Sequence, residues 1–220
     1  MAKNIYNNET FLRGRVGKLV YKVVRGKQVV APFAEAQNPN TPSQRRVRDM
    51  FSIITKVAGS LKFVLKVAMK AYARSRRSTP AAMFVKANYN NGFMSHVPPF
   101  ALDYEKMIVA LGNDYNIALD EDHIDQTSVP GTISIAVQER MIDPEASNEQ
   151  DKCYLAAYCP ELEMGMLGAP EKRSEVTELA VTPPTYWSGH KVYLYNFTTT
   201  PENTSTSESK FVGSIDFVIE

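Results

Sequence analysis

The sequence predicts an α+β protein: an N-terminal β-hairpin plus two helices, one of them long, followed by a C-terminal antiparallel, β-sandwich-like domain. Three patterns predict this class, namely β-branched runs near the N-terminus, an apolar stripe at helical spacing, and short strand-like runs after residue 100. Because 44% of the 220 residues are hydrophobic, the chain has enough apolar material for one large domain or two small ones.

Two β-branched runs predict the hairpin. "RVGKLVYKVV" (15–24) and "QVVAPF" (28–33) are separated by "RGK", a short turn that contains glycine. Side chains alternate between the two faces of a strand, so we expect one apolar set to face inward. Its members in the first run are Val16, Leu19, Tyr21 and Val23, with Gly17 disturbing the register between Val16 and Leu19.

The long helix is predicted to begin within "NPNTPSQRRVRDMF" (38–51). Thr41 is a suitable N-cap, Pro42 suits the first helical position, and Gln44 completes the capping-box pattern. Apolar residues then recur at steps of three and four, which predicts a helix from about 42 to 73. They are Val47, Met50, Ile54, Val57, Leu61, Leu65, Ala68 and Tyr72.

A second helix and a series of strands follow. Thr79 and Pro80 predict a helix start, with helix over 81–90 and Gly92 as a stop signal. After residue 100, short strand-like runs separated by turn residues are typical of an antiparallel sandwich or barrel. The runs are 104–111, 115–119, 132–139, 152–158, 176–181, 191–197 and 210–219. The polar segment "TTTPENTSTSES" (198–209) is expected to be an exposed loop that connects the two strands of a hairpin.

The charge is strongly polarised along the chain. Residues 1–100 hold 18 Lys or Arg and three acids, a net charge of +15, whereas 101–220 hold seven basic and 21 acidic residues, a net charge of −14. We therefore predict two domains, a basic hairpin-plus-helices unit (1–100) and an acidic β-sandwich-like domain (101–220). Such asymmetry suggests either nucleic-acid contact or charge-complementary packing between subunits.

Six arginines are the candidate contact residues of the basic half. Three lie in the first turns of the predicted long helix, near the positive end of its dipole, where a partner with negative charge would relieve an unfavourable position. Three more lie in "RSRRS" (74–78), between the helices. The predicted intersubunit or nucleic-acid contacts are thus Arg45, Arg46, Arg48, Arg74, Arg76 and Arg77.

The sequence contains no G-x-S-x-G, P-loop, GxGxxG or Cys/His nucleophile motif, so we expect no enzyme and no cofactor. Its three histidines lack metal-ligand spacing, and Cys153 and Cys159 are too far apart on one strand to share a metal or a disulfide. The acidic run 119–126 lacks the glycine and terminal glutamate of a calcium loop, so we expect a solvated loop. No apolar run is long enough to span a bilayer, and "MAKNIYNNETF" has no apolar signal segment, so we expect no membrane partner.

Several segments together resemble a known family. They are "GRVGKLVYKVVRGKQVV", "NPNTPSQRRVRDMF", "DYEKMIVALG" and "SKFVGSIDFVIE". In this order they are similar to a family of bacterial and prophage proteins known only as a domain of unknown function, over essentially the whole chain. The most specific part is N-P-x-T-x-x-Q, followed by an arginine and a phenylalanine; the matching residues are Asn38, Pro39, Thr41, Gln44, Arg48 and Phe51. A similar N-P-x-T-x-x-Q segment occurs in phage structural proteins.

Polarised charge and the resemblance together predict a non-enzymatic structural protein of a tailed phage or prophage particle. We expect a ring-forming neck or tail component, present in the virion and assembled in the host cytoplasm, whose partners are copies of itself and other particle proteins. One alternative is a nucleic-acid-binding protein that uses the basic half. Another is an adaptor or carbohydrate-binding β-domain, for which Tyr186 and Trp187 are the candidate aromatic platform.

Overall fold

The computed structural model describes residues 3–7, 9–34, 40–140 and 148–219 and has the predicted mixed α+β fold. It divides into two compact units, Met1–Arg45 and Arg46–Glu220. The predicted boundary near residue 100 differs from this division. That boundary followed the change in charge sign, whereas the packing described below joins the helices and the C-terminal strands in one core.

The N-terminal unit is an antiparallel sheet in which each strand pairs with the next along the chain. Its strands are β1 (Lys3–Asn7), β2 (Glu9–Val16), β3 (Leu19–Val24) and β4 (Lys27–Pro32). The predicted hairpin is present as β3 and β4, joined by Arg25 and Gly26, both of which have positive φ as a tight two-residue turn requires. The run 15–24, expected to be one strand, contains a turn at Gly17 and belongs to two strands.

The predicted long helix is present as three nearly continuous segments, α1 (Pro42–Ser60), α2 (Lys62–Ala68) and α3 (Lys70–Ser75). Helical backbone hydrogen bonds continue through both junctions. Leu61 N–H donates to Val57 O at 3.0 Å, and Met69 N–H donates to Leu65 O at 3.0 Å. The last predicted helix is α4 (Pro80–Asn88), and its cap Thr79 accepts the N–H of Ala82 through Oγ1 at 3.2 Å. Both predicted starts therefore coincide with local capping signals.

The C-terminal strands form two antiparallel sheets. One has the order β10–β6–β5; the other has the order β12–β11–β7–β8, with β9 also paired to β7. The strand bounds are β5 (Ala118–Asp125), β6 (Ile133–Glu139), β7 (Lys152–Cys159), β8 (Met164–Leu167), β9 (Glu171–Lys172), β10 (Glu178–Val181), β11 (His190–Thr199) and β12 (Lys210–Phe217).

The larger sheet is the middle layer of unit 46–220. Along β7, Tyr154, Ala156 and Tyr158 belong to an apolar cluster with the helices. The alternate residues Cys153, Leu155, Ala157 and Cys159 belong to a second cluster with the smaller sheet. Because alternate side chains point to opposite faces, one strand joins both cores, which explains why β7 is buried on both sides.

The predicted strand over 104–111 is wrong. Tyr104–Lys106 is a 3₁₀ turn, and the chain beyond it is extended but outside the sheets. Side chains satisfy its backbone instead: Asn88 Oδ1 accepts the N–H of Ile108 at 2.8 Å, and Ser209 Oγ accepts the N–H of Val109 at 2.8 Å. The apolar pattern of this segment reflects burial against the helices and not strand pairing.

Candidate functional site

The six candidate arginines do not form a single site. All are exposed, but three occupy the first two turns of α1 and three lie at the end of α3. Helical residues rise 1.5 Å each, so about 40 Å of helical chain separates Arg48 from Arg76. We call them the α1 arginines (Arg45, Arg46, Arg48) and the α3 arginines (Arg74, Arg76, Arg77).

The α1 arginines lie at the electropositive end of their helix. No acidic residue is present in the first turn of α1, and Thr41 Oγ1 accepts the N–H of Gln44 at 3.4 Å. Arg45 is oriented locally, since its Nε donates to Asn40 Oδ1 at 3.0 Å. Cations at this end of a helix are unfavourable by a few tenths of a kcal/mol up to about 1 kcal/mol. A carboxylate or phosphate from a partner would reverse that cost.

The α3 arginines have a different electrostatic setting. They lie at the C-terminal end of α3, where cations complement the helix dipole. Arg77 has a φ of 51°, and Ser78 N–H donates to Ala73 O at 2.9 Å, which ends the helix in a tight turn. This turn leads directly to Thr79, the cap of α4. "RSRRS" is therefore a helix–helix connection that presents cations to solvent.

Arg76 lines a polar cleft of about 420 Å³. Its guanidinium carbon lies 5.5 Å from the centre of the Tyr72 ring, a cation–π contact that positions the side chain. The other lining residues are uncharged, and they are Ala71, Ser75, Leu111, Gly112, Asn113, Thr204, Ser205 and Thr206. A cleft with one cation, several hydroxyls and no lining acid can accept a carboxylate or another oxyanion.

One wall of this cleft is formed by residues 204–206 of the segment 198–209, which we expected to be an exposed hairpin connection. The segment does connect the antiparallel strands β11 and β12, but Thr198, Thr199, Thr206 and Ser207 are buried. Asp114 N–H donates to Thr206 O at 3.3 Å, and a Cβ on Gly112 would lie 1.6 Å from that oxygen. Only glycine allows this approach of two backbones. The sequence shows a glycine at position 112 and a polar segment at 198–209. No local pattern, however, indicates that these two parts of the chain are in contact.

The N-terminal sheet has two chemically different faces, defined by the register of β2, β3 and β4. We call one the apolar face; its residues are Val16, Leu19, Tyr21, Val23, Gln28, Val30 and Pro32. We call the other the cationic face; its residues are Arg15, Val20, Lys22, Val24, Lys27, Val29 and Ala31. The predicted inward set does share one face, but it is not buried: Val16 is 52% exposed and Leu19 is 42% exposed.

The two oppositely charged halves of the chain form few ion pairs with each other. Among the described residues, four Lys or Arg side chains pair with carboxylates and two histidines contact carboxylates, and of these six contacts Lys56–Glu163 is the one that joins residues 1–100 to residues 101–220. Most pairs are local or lie within the acidic half. The charge polarity therefore remains largely on the surface of the chain.

Other candidate chemistry is structural in the described parts of the chain. No group of three His, Cys, Asp or Glu side chains there is placed to hold a metal ion. Cys153 and Cys159 are free and buried, and burial raises the pKa of the Cys153 thiol to about 12. Trp187 is 1% exposed, so it packs in the core while Tyr186 is exposed. No helix among the described residues is both long and apolar enough to cross a membrane.

The acidic run 119–126, expected to be a solvated loop, lies largely in strand β5. Leu119 pairs with Val137 and Ile124 pairs with Ile135, so four residues of β5 face a single residue of β6. This large bulge contains Asp120 and Glu121 and stands at the edge of the smaller sheet. Part of the acidic half thus lies on an edge strand, where Asp120 is half-buried and Glu121 is exposed.

A comparison with known protein families identifies the family of this chain. A model described as "Family of unknown function (DUF6266)" matches residues 11–213. The chain belongs to this family. No curated protein and no solved structure matches the chain. The DUF6266 match includes both arginine groups, the cleft at Arg76, the acidic bulge of β5 and all of β3 and β4.

Proposed function

We propose that this DUF6266 chain is a non-enzymatic structural protein that assembles with copies of itself through charge-complementary contacts. In this proposal it is a ring-forming neck or tail component of a tailed phage or prophage particle. The carrying observation is the polarity of charge: +15 in residues 1–100, −14 in residues 101–220, and one described ion pair between them.

Electrostatics favours a partner outside the chain. If the two halves neutralised each other internally, their carboxylates and cations would meet in ion pairs within the fold. Arg45 and Arg46 instead lie exposed at the unfavourable end of their helix, and Arg76 lines a cleft without a lining acid. In the proposal, carboxylates of the acidic half of a neighbouring copy, including those of the β5 bulge, contact these arginines. Repetition of one heterologous contact can close a ring.

The particle assignment is supported by the helix-start segment. "NPNTPSQ" resembles a segment of phage structural proteins; of its described residues, Thr41 is the cap of α1, just before the α1 arginines. In the proposal, this segment therefore lies beside an intersubunit contact. The DUF6266 assignment itself carries no activity that would favour an enzyme.

Charge reversal at the start of α1 tests the proposal. We expect the double variant Arg45→Glu, Arg46→Glu to lose assembly while its circular dichroism spectrum and its unfolding midpoint stay close to those of the parent. The matched control is Lys62→Glu, Lys70→Glu, which changes the net charge equally at exposed positions of α2 and α3. Light scattering at low and moderate salt measures the mass. Rings that persist in the Arg45, Arg46 variant would refute charge docking at α1.

Nucleic-acid binding remains the second candidate because Arg15, Lys22 and Lys27 share the cationic face of the N-terminal sheet. A protein that neutralises several phosphates shows affinity that falls steeply with salt. The ratio of absorbance at 260 and 280 nm, recorded with the light scattering, separates the two candidates. A monomer that co-purifies with nucleic acid would favour binding to nucleic acid over self-assembly.

A further inference from the structure

The N-terminal sheet has no buried core within its part at residues 12–34, where side-chain burial is described. None of the described side chains at residues 12–34 is buried. Val30 is 48% exposed on the apolar face, in addition to Val16 and Leu19. A sheet of this size is stabilised when its apolar face packs on a second layer. The fold therefore presents a layer that is suited to receive another.

We propose that the apolar face of one copy packs against the apolar face of a second copy, so that two N-terminal sheets form a sandwich. This inference rests on the proposed self-assembly and names one of its surfaces. Stacked sheets lie about 10 Å apart with their apolar side chains interdigitated. A second copy supplies a layer of the same kind, because Val16, Leu19 and Val30 would face residues of the same size and chemistry.

Charge determines which face can pair with its own copy. The apolar face carries no ionisable side chain except the Tyr21 hydroxyl, so two such faces meet without repulsion. The cationic face, with Arg15, Lys22 and Lys27, would place like charges opposite each other. In the sandwich these cations point outward, where they are available to the acidic half of a further copy.

The area of the apolar face is smaller than the area that a stable interface buries, so other contacts must contribute. The six-residue strands β3 and β4 are about 20 Å long, and β2 pairs with β3 over three residues, so the footprint is on the order of 250 Å² per copy. Exposed apolar patches of a few hundred Å² mark interaction sites. A stable interface buries about 1,200 Å² or more in total, so the apolar face supplies one part of the contact and the arginine contacts supply another.

Adjacent residues of β4 provide a matched test. Val30 lies on the apolar face and Val29, which is 39% exposed, lies on the cationic face. We expect Val30→Lys to raise the concentration at which the assembly dissociates at least tenfold, because a charge in an apolar interface is costly. Val29→Lys, with the same residue change and the same net charge, is expected to leave it within about twofold, which light scattering across a dilution series measures.

Cross-linking gives a second readout that does not depend on stability. Cys153 and Cys159 are buried, so a bismaleimide that spans about 10 Å reacts with an introduced surface thiol in the native chain. We expect Val30→Cys to form a covalent dimer and Val29→Cys to form little. Equal cross-linking of the two variants would overturn the inference.

The outcomes separate this inference from the proposed charge docking. An assembly that survives Val30→Lys but is lost in Arg45→Glu, Arg46→Glu overturns the sheet contact alone. The reverse pattern overturns charge docking and supports the sheet contact. A parent chain that is monomeric at every salt and concentration overturns both.

Discussion

The approach of the backbone at Gly112 to the backbone at Thr206 permits a quantitative prediction for the variant Gly112→Ala. The added Cβ would lie 1.6 Å from Thr206 O and 2.5 Å from its carbonyl carbon. Ordinary contacts of this kind exceed 3.4 Å, so the two segments must separate by roughly 2 Å. Neither neighbour is a flexible side-chain end, because both are main chain.

The surrounding bonds resist that separation. Asp114 N–H donates to Thr206 O. Within the same segment, Thr199 and Thr206 pair in an isolated antiparallel β-bridge. Overpacking of a core costs about 1–3 kcal/mol. Because backbone must move here, we expect a loss of about 3 kcal/mol in the free energy of unfolding, which for a chain of this size lowers Tm by about 6–12 °C.

Gly59 is the matched control. It is exposed in the last turn of α1, and a Cβ there would meet nothing within 4 Å. Alanine is favoured over glycine in a helix by about 0.5–1 kcal/mol, so Gly59→Ala is expected to raise Tm by about 1–4 °C. The same substitution thus has opposite effects at two positions.

Trp187 makes the assay direct. It is the single tryptophan, it is buried, and it lies in the same unit as both glycines, so its fluorescence reports unfolding of that unit. Thermal and urea unfolding of the two variants and the parent would be compared at one protein concentration. A Gly112→Ala variant that melts within about 1 °C of the parent would refute the close approach and, with it, the wall of the Arg76 cleft.

Two further predictions concern buried ionisable groups. Arg173 is fully buried and contacts Asp151 Oδ2 at 3.4 Å, so Arg173→Met should cost about 3–5 kcal/mol, whereas adding Asp151→Asn should recover part of this loss in urea unfolding. Burial raises the pKa of the Tyr158 and Tyr195 hydroxyls above their usual value of 10.0. The folded chain therefore keeps protons that the unfolded chain releases, so the contribution of these two hydroxyls to stability should fall above about pH 10, and the buried Cys153 thiol adds a fall that begins near its ordinary pKa of 9.0. A urea midpoint that stays flat from pH 9 to 11.5 would contradict this.

Local patterns in the sequence were sufficient for most helices and strands. The stripe from Val47 to Tyr72 predicted a helix of nearly the observed extent. A helix that is buried on one side has apolar residues that recur about every 3.6 residues, so the pattern identifies the helix directly. Thr41 and Thr79 predicted both helix starts, since a cap bonds to N–H groups only three residues away. The hairpin of β3 and β4 followed from its turn for the same reason.

Patterns that depend on distant partners were predicted less well. The run at 104–111 has the composition of a strand, yet Asn88 and Ser209 take the hydrogen bonds that a neighbouring strand would have taken. The polar segment 198–209 was expected to be exposed, although half-buried and buried threonines and serines pack it against Gly112. In both cases the deciding residues are remote in sequence.

The sequence by itself determined the local structure of this DUF6266 chain and the opposite charge of its two halves, because caps, periodicity and charge are properties of neighbouring residues. Only the tertiary structure decided that the helices share a core with the large sheet and that the N-terminal sheet leaves its apolar face exposed. These features depend on which surfaces meet, and packing between distant segments sets that.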